Sequence, residues 1–458
     1  MPLQKNQVLT LRVERLSSDG SGVAHSPDGE TVFIPGAAPG DEARVRIVKD
    51  CKRYAFGILD EVLTPSPDRI PVDCAVAGPC GGCSLRHLDY AAELRAKQEN
   101  VADAFARIGG LDVPVLPIVG SPEVNRYRNK VQFPVGVDKS GKPCIGFYAG
   151  RTHRIVPCPD CRLQPGVLNE IGNALCAFFA EKGIQPYSEE TGRGLVRHIF
   201  LRRGAHSGQI MVCLVCTRAK LPSAEELCTR LKAQFAEITT ILLNVNAKNT
   251  NVILGTETHT LYGPGYIEDT LCGVPVQLGP LSFYQVNTLA AEQLYGIAAQ
   301  YAQLTPDDLL LDLYCGMGTI GLSMAAHCRE LIGVEIVPEA IESAKANAAR
   351  MGADVTAKSR FFCADAGQAA TRLAAEGLHP DIVMLDPPRK GCDEATLSAV
   401  VRMSPRRVVY VSCNPATAAR DAAWLEQNGY HAKKVQPVDL FPRTRHVEVC
   451  SSYIRADK

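Results

Sequence analysis

The chain carries no net charge: 49 lysines and arginines face 49 aspartates and glutamates over 458 residues. That balance excludes a polyelectrolyte that holds nucleic acid or an anionic membrane by bulk charge alone. Long apolar runs are also missing. No stretch of 18 consecutive apolar residues occurs, so no helical membrane span is expected. The first residues, Met1-Pro2-Leu3-Gln4-Lys5, lack the apolar core of a signal peptide, and the cytoplasm is the expected compartment. There is no low-complexity tract and no internal repeat. What is present is a globular composition, 46% hydrophobic and 21% charged. Its length exceeds one ordinary core, so two or three domains are expected.

Cysteine is plentiful, at eighteen residues. In a long chain without a secretory signal this points to reduced thiols or metal ligands rather than disulfides. Many pack as small hydrophobes. Cys213-Leu-Val-Cys216, inside an apolar run, is expected to be one such structural pair. Charge is uneven locally. Residues 126–154 hold seven Lys/Arg and one acid, Asp138, and residues 193–220 hold six Lys/Arg and no acid. Such tracts can follow a phosphate backbone or form solvated strand faces.

Three regions follow from the patterning, and the fold class is multidomain α/β. Residues 1–63 read as a small β-barrel, with short strands around Val8–Val13, Thr31–Ile34, Ala43–Val48 and Phe56–Leu59 separated by Gly/Pro turns. Residues 64–272 read as a mixed α+β domain with helices near 167–182 and 223–235. A helix predicted over 90–108 is a candidate to pack on the catalytic domain. Residues 273–458 alternate strand and helix, the rhythm of a Rossmann-like doubly wound sheet. Strands are predicted at 309–313, 331–335, 381–386 and 408–412. Helices are predicted at 288–302, 320–326, 338–351, 394–403 and 416–428.

Chemistry collects at the predicted strand ends. Gly316-x-Gly318-x-x-Gly321 lies between a strand and a helix, where glycines permit a tight turn and close approach of a ligand. Glu335 ends the next strand and can accept from two ribose hydroxyls. Asp365 ends a third and can face an adenine amino group. This motif alone fits a dinucleotide or S-adenosylmethionine. Asp386-Pro387-Pro388-Arg389 favours S-adenosylmethionine, because a dehydrogenase has no use for it. The β-branched run 408–412 delivers Cys413 to a polar turn as a candidate nucleophile. Upstream, Cys74-x5-Cys80-Gly81-Gly82-Cys83 places three cysteines within ten residues, and Cys158 or Cys161 can supply a fourth. Four thiolates suit a [4Fe–4S] cluster or tetrahedral zinc, and spacing does not separate them. The C-x3-C-x2-C spacing of radical enzymes is absent, so a structural or positioning role is expected.

With these motifs in place, the chain resembles the RNA 5-methyluridine (uracil-C5) methyltransferases, in particular their iron–sulfur 23S rRNA branch with an N-terminal TRAM domain. The resemblance rests on Asp386-Pro387-Pro388-Arg389-Lys390-Gly391, then sixteen residues, then Val408-Val409-Tyr410-Val411-Ser412-Cys413-Asn414. Phe283-Tyr284-Gln285-Val286-Asn287, Asp312-Leu313-Tyr314-Cys315-Gly316 and His446-Val447-Glu448 add to it. Gly20-Ser21-Gly22-Val23-Ala24 and Phe33-Ile34-Pro35-Gly36 mark the TRAM barrel, an RNA-binding module.

The resemblance implies that Gln285, Tyr314, Glu335, Asp365 and Asp386 bind S-adenosylmethionine, that Cys413 is the nucleophile and Glu448 the base. It implies a [4Fe–4S] cluster on Cys74, Cys80, Cys83 and Cys161, with Cys158 an extra cysteine outside the pattern. The implied partner is RNA: 23S rRNA is favoured and tRNA is the alternative. RNA cytosine-C5 methylation is disfavoured because Arg389 follows the Pro-Pro pair where those enzymes place cysteine. A non-catalytic RNA-binding factor is disfavoured by the intact Cys413, Asp386 and Glu448. A monomer is expected.

Overall fold

The computed structural model describes residues 3–150, 152–248 and 250–456. Arg151 of the first basic tract and the terminal Met1-Pro2 lie outside the described residues. No described helix is long and apolar enough to cross a membrane.

The N-terminal strands close into a five-stranded barrel. Their alternation is the cause. In Glu42–Asp50, Ala43, Val45 and Ile47 point inward while Glu42 and Arg44 stay exposed, and Val32, Ile34 and Ala55 complete the barrel core. The barrel is bolted to the rest of the molecule. Its Leu16 and Ala38 share a small core with Leu85, Leu88 and Ala96.

The central region is a seven-stranded sheet running Glu257–Tyr262, Ile238–Val245, Ile210–Cys216, Val196–Arg203, Lys130–Val137, Pro143–Tyr148, Ile155–Pro157. Helices Gly166–Glu181 and Ala224–Gln234 cover one face. Ile210–Cys216 is buried on both sides, and Cys213 and Cys216 are fully buried core residues. Two arginines of the second basic tract, Arg197 and Arg202, turn inward, while Arg193, Arg218 and Lys220 are exposed. Val196–Arg203 is buried nearly throughout. Arg197 donates to Asn246 O (3.0 Å) and Lys248 O (2.6 Å). Arg202, 1% exposed, donates to Gly279 O (2.7 Å) and Ser282 O (2.6 Å). These two arginines brace loops because their planar forks satisfy several carbonyls at once.

The C-terminal sheet runs Ser359–Cys363, Glu330–Glu335, Leu309–Leu313, Ile382–Leu385, Arg407–Ser412, Glu448–Arg455, Tyr430–Val438. The first five are parallel and the last two add as an antiparallel hairpin. The order reverses beside Leu309–Leu313, which opens a crevice at the carboxyl ends of the strands. The short helix Ala353–Lys358 was not evident in the sequence pattern. Two features tie earlier segments into this domain. Helix Tyr90–Asp103 continues as a π-helical turn, Ala104–Ile108, rather than as the α-helix predicted to 108. Val101, Ala104 and Phe105 are buried in the core of the C-terminal sheet. The hairpin Ile267–Leu271/Val274–Leu278 packs in one core with helix Thr288–Ala302 and Leu310, so the boundary expected at 272/273 falls on its turn.

Candidate active site

Strand Leu309–Leu313 ends in Tyr314, which takes a left-handed φ of 66° and turns the chain sharply into the glycine loop. Gly318 follows at φ 79°, opening helix Thr319–Met324. Gly321 is required for a different reason. A Cβ there would stand 2.8 Å from both Asp312 Oδ2 and a Leu331 methyl. Its bare N–H instead donates to Asp312 Oδ2 at 3.0 Å. Burial pushes the Asp312 carboxyl up to about 8. On the neighbouring strand, the Glu335 carboxylate accepts from Gly316 N (3.1 Å) and Val337 N (2.9 Å), which fixes its direction over the loop. Asp365 caps helix Ala366–Ala375, with Oδ1 accepting from the backbone N–H groups of Gly367 and Gln368 at 3.1 Å.

Tyr314, Gly316, Glu335 and Asp365 line a cleft of about 1560 Å³, with Asp312 buried behind the loop. Asp386, Cys413 and Glu448 line the same cleft and lie close enough for their charges to act on one another. Ser412 pairs with Val449 and Val438 pairs with Glu448, so the ladder sets Glu448 beside the strand end that delivers Cys413. The tip is rigid. Asn414 caps helix Pro415–Gln427 by accepting from Ala416 N (3.1 Å) and donates to Arg389 O (3.0 Å). Glu448 is buried, and desolvation with the nearby Asp386 charge pushes it up to about 8. Desolvation pushes Asp386 up to about 7. The half-buried Cys413 thiol is raised by burial, then by Glu448 and Asp386; Arg389 opposes that rise by charge and a hydrogen bond.

Gln285 lines the cleft as well. Asn129 holds its backbone, donating Nδ2–H to Gln285 O (2.8 Å) and N–H to Val286 O (2.8 Å). The exposed Phe283 and Leu281 stand at the cleft mouth, and Arg128 and Lys130 of the first basic tract line it too. Roles for Phe283, Arg128 and Lys130 were not assigned from sequence. The signal was present in the charge tract and the Phe283-Tyr284-Gln285 motif, but neither says which side chains face inward.

The cleft runs on to the cysteines. Cys74, Cys80, Cys83, Cys158 and Cys161 all line it. Among the described residues, no set of three or more Cys, His, Asp or Glu side chains is arranged to hold a metal ion. The thiols still feel one another: Cys158 donates to Cys161, lowering Cys161 and raising itself. Beside them Arg86 is 2% exposed. Its Nη1 bonds Asp73 (2.8 Å) and Asn125 (3.0 Å), while Nε and Nη2 make no well-formed hydrogen bond among the described residues. The guanidinium faces Cys83 and opposes the rise that burial imposes on that thiol. A buried cation set against a thiol suits a set of thiolates.

The family model described as tRNA (uracil-5-)-methyltransferase matches residues 223–455, and that of the TRAM domain matches residues 2–59. The chain belongs to the tRNA (uracil-5-)-methyltransferase family. An uncharacterized RNA methyltransferase of Halalkalibacterium halodurans is 43% identical over 98% of this chain and 97% of its own length. Another from Oceanobacillus iheyensis is 41% identical over 98% and 96%. Among solved structures, the Pyrococcus abyssi tRNA (uracil-54, C5)-methyltransferase in complex with S-adenosyl-L-homocysteine superposes with a TM-score of 0.78 at 26% identity. That match covers 97% of this chain and all of the other. The N-terminal barrel is therefore a TRAM domain and the C-terminal sheet a methyltransferase fold.

Proposed function

We propose that this protein methylates C5 of uridine in RNA, using S-adenosylmethionine, through a covalent Cys413 adduct. The observation that carries the reading is the meeting of Cys413, Glu448 and Asp386 in a cleft that the glycine loop also lines. When bound, S-adenosylmethionine supplies an electrophilic methyl group. Glu335 would hold its ribose hydroxyls and Asp365 its adenine amino group, with Gln285, Tyr314 and Asp386 completing the site. Uracil C5 is a weak nucleophile. The Cys413 thiolate adds to C6, and the C5=C6 electron pair moves into an enolate that makes C5 electron-rich. After C5 takes the methyl group, Glu448 removes the C5 proton. That electron pair restores C5=C6, the C6–S bond breaks, and its pair returns to Cys413. A base stacked in a helix cannot reach Cys413, so the uridine enters single-stranded or flipped out.

Cys74, Cys80, Cys83 and Cys161 would hold a [4Fe–4S] cluster. Their common place in the cleft lining and the buried Arg86 guanidinium against Cys83 support this reading. The cluster would have a structural or RNA-positioning role. An anaerobic preparation that is colourless and iron-free but binds zinc would overturn the iron assignment.

The substrate we favour is 23S rRNA, on the strength of the TRAM barrel and the cysteine set together. A tRNA substrate is the second reading, favoured by the full-length likeness to the P. abyssi enzyme. Mapping 5-methyluridine in ribosomal and transfer RNA from a deletion strain decides between them. Cys413→Ala must abolish methylation; persistence of 5-methyluridine formation in vitro would remove Cys413 from the mechanism.

A further inference from the structure

A charged network lies buried where no solvent or substrate reaches it. Glu93 and Asp439 side chains are fully buried and Lys97 is 1% exposed. Lys97 Nζ donates to Glu93 Oε1 (2.7 Å), Asp439 Oδ1 (2.8 Å) and Phe441 O (3.2 Å). Tyr90 OH donates to Asp439 Oδ2 (3.0 Å) and accepts from Ser121 N (2.7 Å). Glu93 Oε1 also accepts from Arg443 N (2.7 Å). Apolar side chains of similar volume would commonly stabilise such a site as well or better. What charges add is direction, and here they all point at one loop.

That loop joins Tyr430–Val438 to Glu448–Arg455, the hairpin whose second strand begins at Glu448. Each residue from Asp439 to Arg443 has a backbone atom held by another segment. Asp439 N donates to Val119 O. Leu440 O accepts from Asn287 Nδ2 and Pro442 O from Tyr127 OH. Phe441 O meets Lys97, and Arg443 is held at both N and O, by Glu93 and Leu85. Arg443 sits at φ 68°, a conformation that needs such support. Phe441 in turn packs edge-on against His446, 6.0 Å between centroids, and Phe441, His446 and Glu448 line the cleft.

The structure assigns Lys97, Glu93, Asp439 and Tyr90 as positioning residues that lock this loop and hold Glu448 in register for removing the C5 proton. The assignment rests on the reading of Glu448 as the base. A loosened loop then impairs release of the adduct more than its formation, since Cys413 is held separately through Asn414.

The test uses the full-length protein with RNA and S-adenosylmethionine, comparing wild type, Tyr90→Phe and Lys97→Met. Tyr90→Phe leaves the ion pairs intact and removes the hydroxyl's two hydrogen bonds. The readouts are turnover, KM for S-adenosylmethionine, and the fraction of protein covalently joined to RNA at steady state on denaturing gels. Turnover should fall about tenfold for Lys97→Met and less for Tyr90→Phe. The covalent fraction should rise in both, and KM should stay within about twofold of wild type. Loss of turnover in a folded variant without adduct accumulation, or wild-type turnover in both, overturns the assignment. If Lys97→Met does not fold, Tyr90→Phe decides alone. Glu448→Gln serves as the control: if it traps no adduct, the reading of Glu448 fails, separately from the loop assignment.

Discussion

Glu448, Asp386 and Cys413 form a group in which each negative charge makes the next harder to create. Glu448 is pushed up to about 8 by burial and by Asp386, with Arg389 opposing and the Cys413 thiol facing it. As the proposed base it must be ionised. Decay of a preformed Cys413–RNA adduct should therefore accelerate as pH rises toward about 8. Asp386→Asn removes a like charge, lowers the Glu448 pKa and should move that profile to lower pH, as single-turnover decay across a pH series would show. Arg389 acts on the other step. Arg389→Met should slow adduct formation by about tenfold to a hundredfold, read in the Glu448→Gln background where adduct only accumulates. Cys413 was legible in the sequence because a β-branched run stopping at a polar turn has few uses. Lys97 was not. On its helix it reads as an ordinary i, i+4 partner of Glu93, and its second carboxylate lies 342 residues away.

Among the elements, the glycine loop was readable down to its residues, since strand, turn and helix each have local causes. The packing behind it was not. Gly321 is confined by Asp312 and Leu331 rather than by a ligand. Gly321→Ala should cost about 1–3 kcal/mol in chemical denaturation and weaken S-adenosylmethionine binding by calorimetry. Strand Val196–Arg203 misled for the same reason. Its arginines resemble a phosphate-tracking tract, yet their partners are carbonyls of loops far along the chain. A charge pattern alone does not say which way a strand faces. The π-turn Ala104–Ile108 is likewise invisible to helical periodicity, because the packing of Phe105 into the C-terminal core decides it.

For the whole molecule, three of the carboxyls pushed up by burial act together. Asp312, Asp386 and Glu448 are raised to about 8, 7 and 8. A raised acid favours the native state below its unfolded pKa and loses that contribution as pH climbs through the native value. Thermal midpoints should fall between about pH 4 and 8, from the unfolded carboxyl values up to the native ones, and Asp386→Asn/Glu448→Gln should flatten the decline. Among the cleft cysteines, Cys161→Ser should abolish iron binding while Cys158→Ser preserves it, as metal analysis of anaerobic preparations would test. The patterning anticipated the N-terminal barrel and the doubly wound C-terminal sheet, but not how the chain joins them, because the hairpin at 267–278 and the helix at 90–103 pack across the expected boundaries. That packing gives the chain a timetable. Val101 and Phe105 complete a core whose other walls are made some 200 to 350 residues later. At ordinary translation rates they wait on the order of tens of seconds. The catalytic domain thus depends on a piece synthesised long before it, and a fragment starting at residue 273 should show no cooperative unfolding transition.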